Sequence, residues 1–306
     1  MRQLKFICAA LLLAAAGLVQ GLEPGLVDAV ERNDADAALA LLADGADVHA
    51  KQADGATALH WAAHWDLVGL AHRLLEAGAP VNAVNDLGVA PISVACRNGS
   101  VTMVDALLSH GADALTAEPS GETALMTCAR TGSTAAVVQL LAAGSDPNAI
   151  ELNSGQTALM WAAAGGHTAT ARALDEAGTE IDARSKGEFT PLMFAARSGA
   201  LELARLLLGS GATVNTATSE GLSPLLIAAA SLDAITGSDY RLVVESSDHE
   251  ALGILLLEHG ANVAQADQYG MTPLHYTVEM RKPALLEALL ARGADPNAQL
   301  SSGLPF

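Results

Sequence analysis

The sequence predicts an all-α repeat solenoid built from eight copies of a helix-turn-helix unit joined by β-hairpin loops. Three observations carry this. Glycines recur at Gly45, Gly78, Gly111, Gly144, Gly178, Gly211, Gly260 and Gly293, spaced 33, 33, 33, 34, 33, 49 and 33 residues, the signature of stacked repeats. A second marker, Thr57, Ala90, Thr123, Thr157, Thr190, Ser223 and Thr272, lies 21 residues before its glycine in every copy except that of Ser223, where the gap is 37. The composition fits thin helical layers: only 3% of the 306 residues are aromatic, yet 51% are apolar, with Ala and Leu prominent.

The elements follow in order. Residues 1–21 place Arg2 and Lys5 before an apolar run from Phe6 to Ala16, the layout of a secretory signal peptide. The run falls short of the roughly 20 apolar residues a spanning helix needs, so no membrane span is expected after cleavage, which is predicted after Gly21 or Ala16. A frayed helix packed on the first repeat is the alternative. Cys8 has no lipobox before it. The protein is thus expected to be exported, to a periplasm or outside the cell. The formal charge of -18 becomes more negative without the leader, with 14 basic residues against 34 acidic. Such a chain repels polyanions, which excludes nucleic acid as a partner class.

Within each copy the marker Thr or Ser stands before Pro or Ala, an N-cap followed by a good first helical residue. The periodic glycines follow Leu pairs such as Leu74-Leu75 and Leu207-Leu208 and end a second helix in the left-handed conformation. Between them Ala62-Ala63, Ala162-Ala163 and Ala195-Ala196 keep the first helix slim, so neighbouring copies can approach. The first copy, Pro24 to Asp47, should turn Asp28, Glu31 and Arg32 to water as an N-terminal cap. Sixteen extra residues, 232–247, fall between the two helices of one copy. They are predicted to form a solvated loop with a short helical extension, a dedicated contact loop being the alternative. Leu285, Leu286, Leu289 and Leu290 are expected to face outward from the last copy, and residues 299–306 to begin an incomplete ninth. Such an open face predicts self-association through the C-terminal repeat, or fraying there.

Thr190-Pro191-Leu192, Thr272-Pro273-Leu274-His275 and Gly260-Ala261-Asn262-Val263 resemble the ankyrin repeat pattern, over residues 22–298. The resemblance implies two antiparallel helices per copy, hairpins projecting at right angles, a curved stack with a concave groove, and binding of other proteins rather than catalysis.

Departures from that pattern are informative. The family histidine stands at His60 and His275 but is Met126, Met160 and Met193 in three successive copies, where flexible apolar bulk fills the gap between repeats. His60 and His64 have an i, i+4 spacing that can ligate zinc, but without a neighbouring Glu or third ligand a contact surface is the preferred reading. No metal, cofactor or catalytic constellation is expected: no phosphate cradle, Ser/His/Asp arrangement or paired carboxylate motif appears. Cys96 and Cys128 occupy adjacent Ala positions in neighbouring copies, one residue out of register. With helices about 8–10 Å apart, beyond disulfide reach, they are expected to be unpaired.

Seven residues after each marker stand His64, Arg97, Arg130, Ala164, Arg197, Ala230 and Glu279, a position that in the family faces the groove. One reading is that helix C-termini attract these cations through the macrodipole, worth about 0.3–1 kcal/mol each. The other is that His64, Trp65, Arg97, Arg130 and Arg197, with the hairpin residues Glu122, Gln156 and Phe189, contact a partner protein that presents carboxylates, Trp65 being the apolar anchor. The functional expectation is a non-enzymatic scaffold. The alternative is the targeting or regulatory repeat region of a longer secreted enzyme or toxin.

Overall fold

The computed structural model describes residues 25–230 and 248–300. The predicted leader, the extra segment 232–247 and the ninth-repeat residues 301–306 lie outside the described residues. Among the described residues there are eight helix pairs: α1 (Leu26–Glu31) with α2 (Ala35–Ala43), α3 (Ala58–His64) with α4 (Val68–Glu76), α5 (Pro91–Arg97) with α6 (Val101–Ser109), and α7 (Ala124–Arg130) with α8 (Thr134–Ala142). They continue as α9 (Ala158–Ala164) with α10 (Thr168–Glu176), α11 (Pro191–Ser198) with α12 (Leu201–Gly209), α13 (Pro224–Ala229) with α14 (Asp248–Glu258), and α15 (Pro273–Glu279) with α16 (Pro283–Ala291). Odd-numbered helices pack on odd and even on even from pair to pair, giving an inner and an outer layer. Among the described residues there is no sheet; the connecting loops contain only the isolated bridges Lys51–Thr57 and Ala117–Thr123.

The markers work as the sequence predicts. The hydroxyls of Thr123, Thr157, Thr190 and Ser223 accept the N–H of Met126, Met160, Met193 and Leu226, each cap being worth about 1 kcal/mol. Ala90 has no side chain to do so, and Pro91 starts that helix instead. At Thr57 and Thr272 the histidine three residues on closes the turn. Nδ1 of His60 accepts from Thr57 N at 3.2 Å while Nε2 donates to Val89 O in the next loop at 2.9 Å. Burial holds its pKa below the usual value, and both ring nitrogens are engaged. Met126, Met160 and Met193 are fully buried in the same register. All eight period-marking glycines have φ between +83° and +97°.

Successive repeats are joined at the C-terminal ends of the inner helices, whose last carbonyls lack intrahelical donors. Each is met by a side chain from the next repeat: Asn98 donates to Ala63 O and His64 O, Thr131 to Cys96 O, and His167 to Arg130 O. The pattern continues with Ser198 to Ala163 O, His249 to Arg197 O and Lys282 to Ala228 O. Loop tips are linked too, through Asp86 N to Asp54 O (2.8 Å), Leu152 N to Ser120 O (2.6 Å), Lys186 N to Ser154 O (2.7 Å) and Gln268 N to Glu220 O (2.9 Å). Two links of this ladder are absent for visible reasons. Pro119 has no N–H and packs on Gly88, where a Cβ would lie 2.5 Å from its Cδ. Ser219 N instead meets the carboxylate of Glu188.

Two expectations are corrected. Cys96 and Cys128 form a disulfide with Cα atoms 4.5 Å apart. The 8–10 Å spacing is a distance between helix axes; facing Cα atoms each sit about 2.3 Å off their axis, which brings them within bonding range where only small side chains intervene. Ala95 and Ala129, both fully buried, leave that room. At the other end, Leu285 and Leu289 do not face outward: both are fully buried. Leu285 lies over Gly253 of α14, where a Cβ would come within 2.7 Å of its Cδ2. Only Leu286, half-buried, and Leu290, 43% exposed, remain at the surface. At the N-terminus Asp28, Glu31 and Arg32 are exposed, as a cap requires.

Candidate functional site

The inner helices and the loops that precede them form two walls, because side chains four and seven residues after each marker reach loop residues one and five before a marker. Trp61 Nε1 donates to Gln52 at 2.7 Å, Thr127 to Glu122 at 2.8 Å, and Tyr276 to Asp267 at 2.7 Å. Burial and the hydrogen bond to Asp267 push the Tyr276 hydroxyl well above its usual pKa. The extra residue of this loop puts Glu151 in the place of Gln52, with its carboxylate taken up by the loop's own N–H groups and not by Trp161, which stands in the Trp61 register. Its buried Nε1 has no acceptor among the described residues.

The predicted contact residues fall on this surface, though in different states. His64 and Trp65 are exposed and stack edge-on at 4.7 Å. Trp65 is not free, because its Nε1 donates to Glu31 O of the first repeat at 3.0 Å. Arg97 pairs with Glu118 of the following loop. Burial pushes the Glu118 carboxyl above the usual range, outweighing Arg97. Arg130 lies 3.9 Å from Glu122 and 5.4 Å above the Trp161 ring. Arg197 sits 5.1 Å above Phe194, which packs on Phe189 at 5.7 Å. Burial lowers its pKa, and no carboxylate among the described residues pairs with it. All three arginines are in the last turn of their helices, as the macrodipole reading requires. Arg97 and Arg130, however, have their heads directed sideways to the loops. Gln156 N–H is held by Glu151 at 3.0 Å, so this residue supports the loop.

Glu151 was missed by motif reading. It is 5% exposed and accepts from Asn153 N (2.6 Å), Ser154 N (2.8 Å) and Gln156 N. Burial alone would raise its pKa, but these three donors and Lys186 hold it below the usual value. An apolar feature was also missed. Asn82, Asn148 and Asn215 each clamp the next repeat, accepting from Asp113, Glu180 and Asn262 N–H. Leu115 stands in that register and cannot. It is 61% exposed and, with Ile150, lines a shallow groove of about 320 Å³. The signal was a Leu standing between Asn82 and Asn148, in a register where Asp182 and Asn215 also carry an acceptor.

Family models for ankyrin repeats match residues 26–118, 112–185, 188–219 and 269–300, more than half of the chain. The chain belongs to the ankyrin repeat family. It is also 39% identical over 72 residues to the human 2-5A-dependent ribonuclease, a match covering 22% of this chain and 10% of that enzyme. The ankyrin chain therefore spans only a small part of that relative. No described helix is long and apolar enough to cross a membrane.

Proposed function

We propose that this protein is a non-enzymatic scaffold, exported to an oxidising compartment, that holds a partner protein in the concave groove between its inner helices and its loops. Ankyrin repeats mediate protein–protein binding. The observation that carries the finer reading is the row of aligned cations and aromatics along one surface: His64 with Trp65, Arg97, Arg130 over Trp161, and Arg197 over Phe194. On a chain of charge -18 a basic row of this kind favours a partner presenting carboxylates, with Glu122, Gln156 and Phe189 as the loop-side wall. Export is supported by the basic-then-apolar leader and by the Cys96–Cys128 bond, since such bonds persist in oxidising compartments. The ribonuclease likeness is confined to a short stretch and transfers no nuclease activity.

Replacing Arg97, Arg130 and Arg197 together by Ala is expected to weaken capture of the natural partner from the exported fraction at least about tenfold, the loss of one charge-assisted contact, with helix content unchanged. Undiminished capture returns these arginines to helix capping. Mass measurement of the native protein tests export: a mature product retaining Met1 contradicts cleavage. Of the four leucines of α16, only Leu286 and Leu290 are left at the surface to support self-association through the last repeat, which is expected only at high concentration.

A further inference from the structure

The three arginines share one register but not one electrostatic state, and the difference follows from the loop residues around them. One residue before the marker stands Glu122 in the repeat of Arg130 and Phe189 in the repeat of Arg197. Five residues before the next marker stands Glu118 beside Arg97, but Thr218 beside Arg197. Both places from which this fold supplies an internal carboxylate are therefore uncharged around Arg197. Glu188, next in sequence to Phe189, is engaged elsewhere. It adopts φ +64° where the other loops place glycine, and its carboxylate takes Ser219 N–H and lies 3.7 Å from Arg184. Arg197 is left half-buried on Phe194, with no ion pair among the described residues, in a protein of charge -18. A partly desolvated guanidinium without a counter-charge is an unfilled fork for two carboxylate oxygens. Phe194 beneath it, itself packed on Phe189, adds cation–π attraction.

We propose that Arg197, seated on Phe194 beside Phe189, is the anchoring site for an acidic side chain of the partner protein, whereas Arg97 and Arg130 already face the carboxylates of Glu118 and Glu122 within the chain. The proposal rests on the groove being the partner surface. A side chain rather than a chain terminus is chosen because the inner helix of Arg197 lies inside the row, with α9 before it and α13 after, so a bound segment continues in both directions.

The test uses the whole protein and three pentapeptides, followed through the arginine Nε–Hε resonances. Acetylated, amidated Ala-Ala-Glu-Ala-Ala is expected to move the Arg197 resonance saturably and to bind about tenfold more tightly than its Gln counterpart, with Arg97 and Arg130 responding less. Phe189→Glu, which rebuilds around Arg197 the arrangement seen at Arg130, should abolish the response. Glu122→Phe should create one at Arg130. If Phe189→Glu does not fold, Arg197→Gln serves instead, read from the carboxylate resonance of the labelled peptide, and must erase the preference for Glu over Gln. Equal binding of the Glu and Gln peptides, or Arg97 and Arg130 responding as strongly as Arg197, overturns the proposal. Equal or tighter binding of the Gln peptide with a free C-terminal carboxylate overturns the choice of a side chain. A silent Arg197 together with loss of capture by the triple arginine variant leaves the groove reading standing and this inference refuted.

Discussion

The stretch from Arg97 to Trp161 and the repeat of Arg197 use the same helices in the same register, yet one is closed upon itself and the other is open. In the first, a disulfide ties α5 to α7, Glu118 and Glu122 answer the two arginines, and Glu151 gathers three N–H groups of its loop. In the second, aromatic rings replace the acids, and Arg197 keeps its charge without a partner among the described residues. A repeat protein thus varies binding chemistry by exchanging loop residues over a constant helical frame. A conserved register need not mean a shared role.

The largest perturbation of the closed region is removal of its covalent tie. Replacing Cys96 and Cys128 by Ala is expected to cost about 3–4 kcal/mol, from the entropy of opening a loop of this size. Urea unfolding measures the loss, and amide exchange should rise first in α5 to α8 and not in α11. Next in size is Glu151→Gln, expected to cost about 1.5–3 kcal/mol because a buried charged acceptor serves three backbone donors. The pKa of Glu151 is lowered on folding, so its contribution is present above the unfolded value near 4.5 and is lost as pH falls through the folded value. The stability gap between wild type and Glu151→Gln should therefore close on acidification. A gap that widens contradicts the assignment.

The smallest effects belong to the ion pairs. Arg97 and Arg130 are substantially exposed, so Glu122→Gln should change stability by less than about 1 kcal/mol while releasing Arg130 towards a ligand.

Helix positions, caps and register were legible in the sequence because Thr, Ala-Ala, Leu-Leu and Gly each do one local job at a fixed spacing. The disulfide was not, since a spacing between helix axes says little about surfaces lined by alanine. Leu285 and Leu289 misled because the end of a repeat array resembles an open face until Gly253 is seen to make room for a side chain from α16. The basic row was legible as a row. Its division into paired and unpaired members becomes apparent only when the residues before each marker, Glu122 and Phe189, are read alongside those after it.

Whether the row acts through its unpaired member is decided by comparing partner capture by wild type, Arg97→Ala/Arg130→Ala, and Arg197→Ala. Arg197→Ala alone is expected to lose capture as fully as the triple variant, at least about tenfold, while the double variant retains most of it. Loss confined to the double variant, with Arg197→Ala binding like wild type, would contradict that expectation.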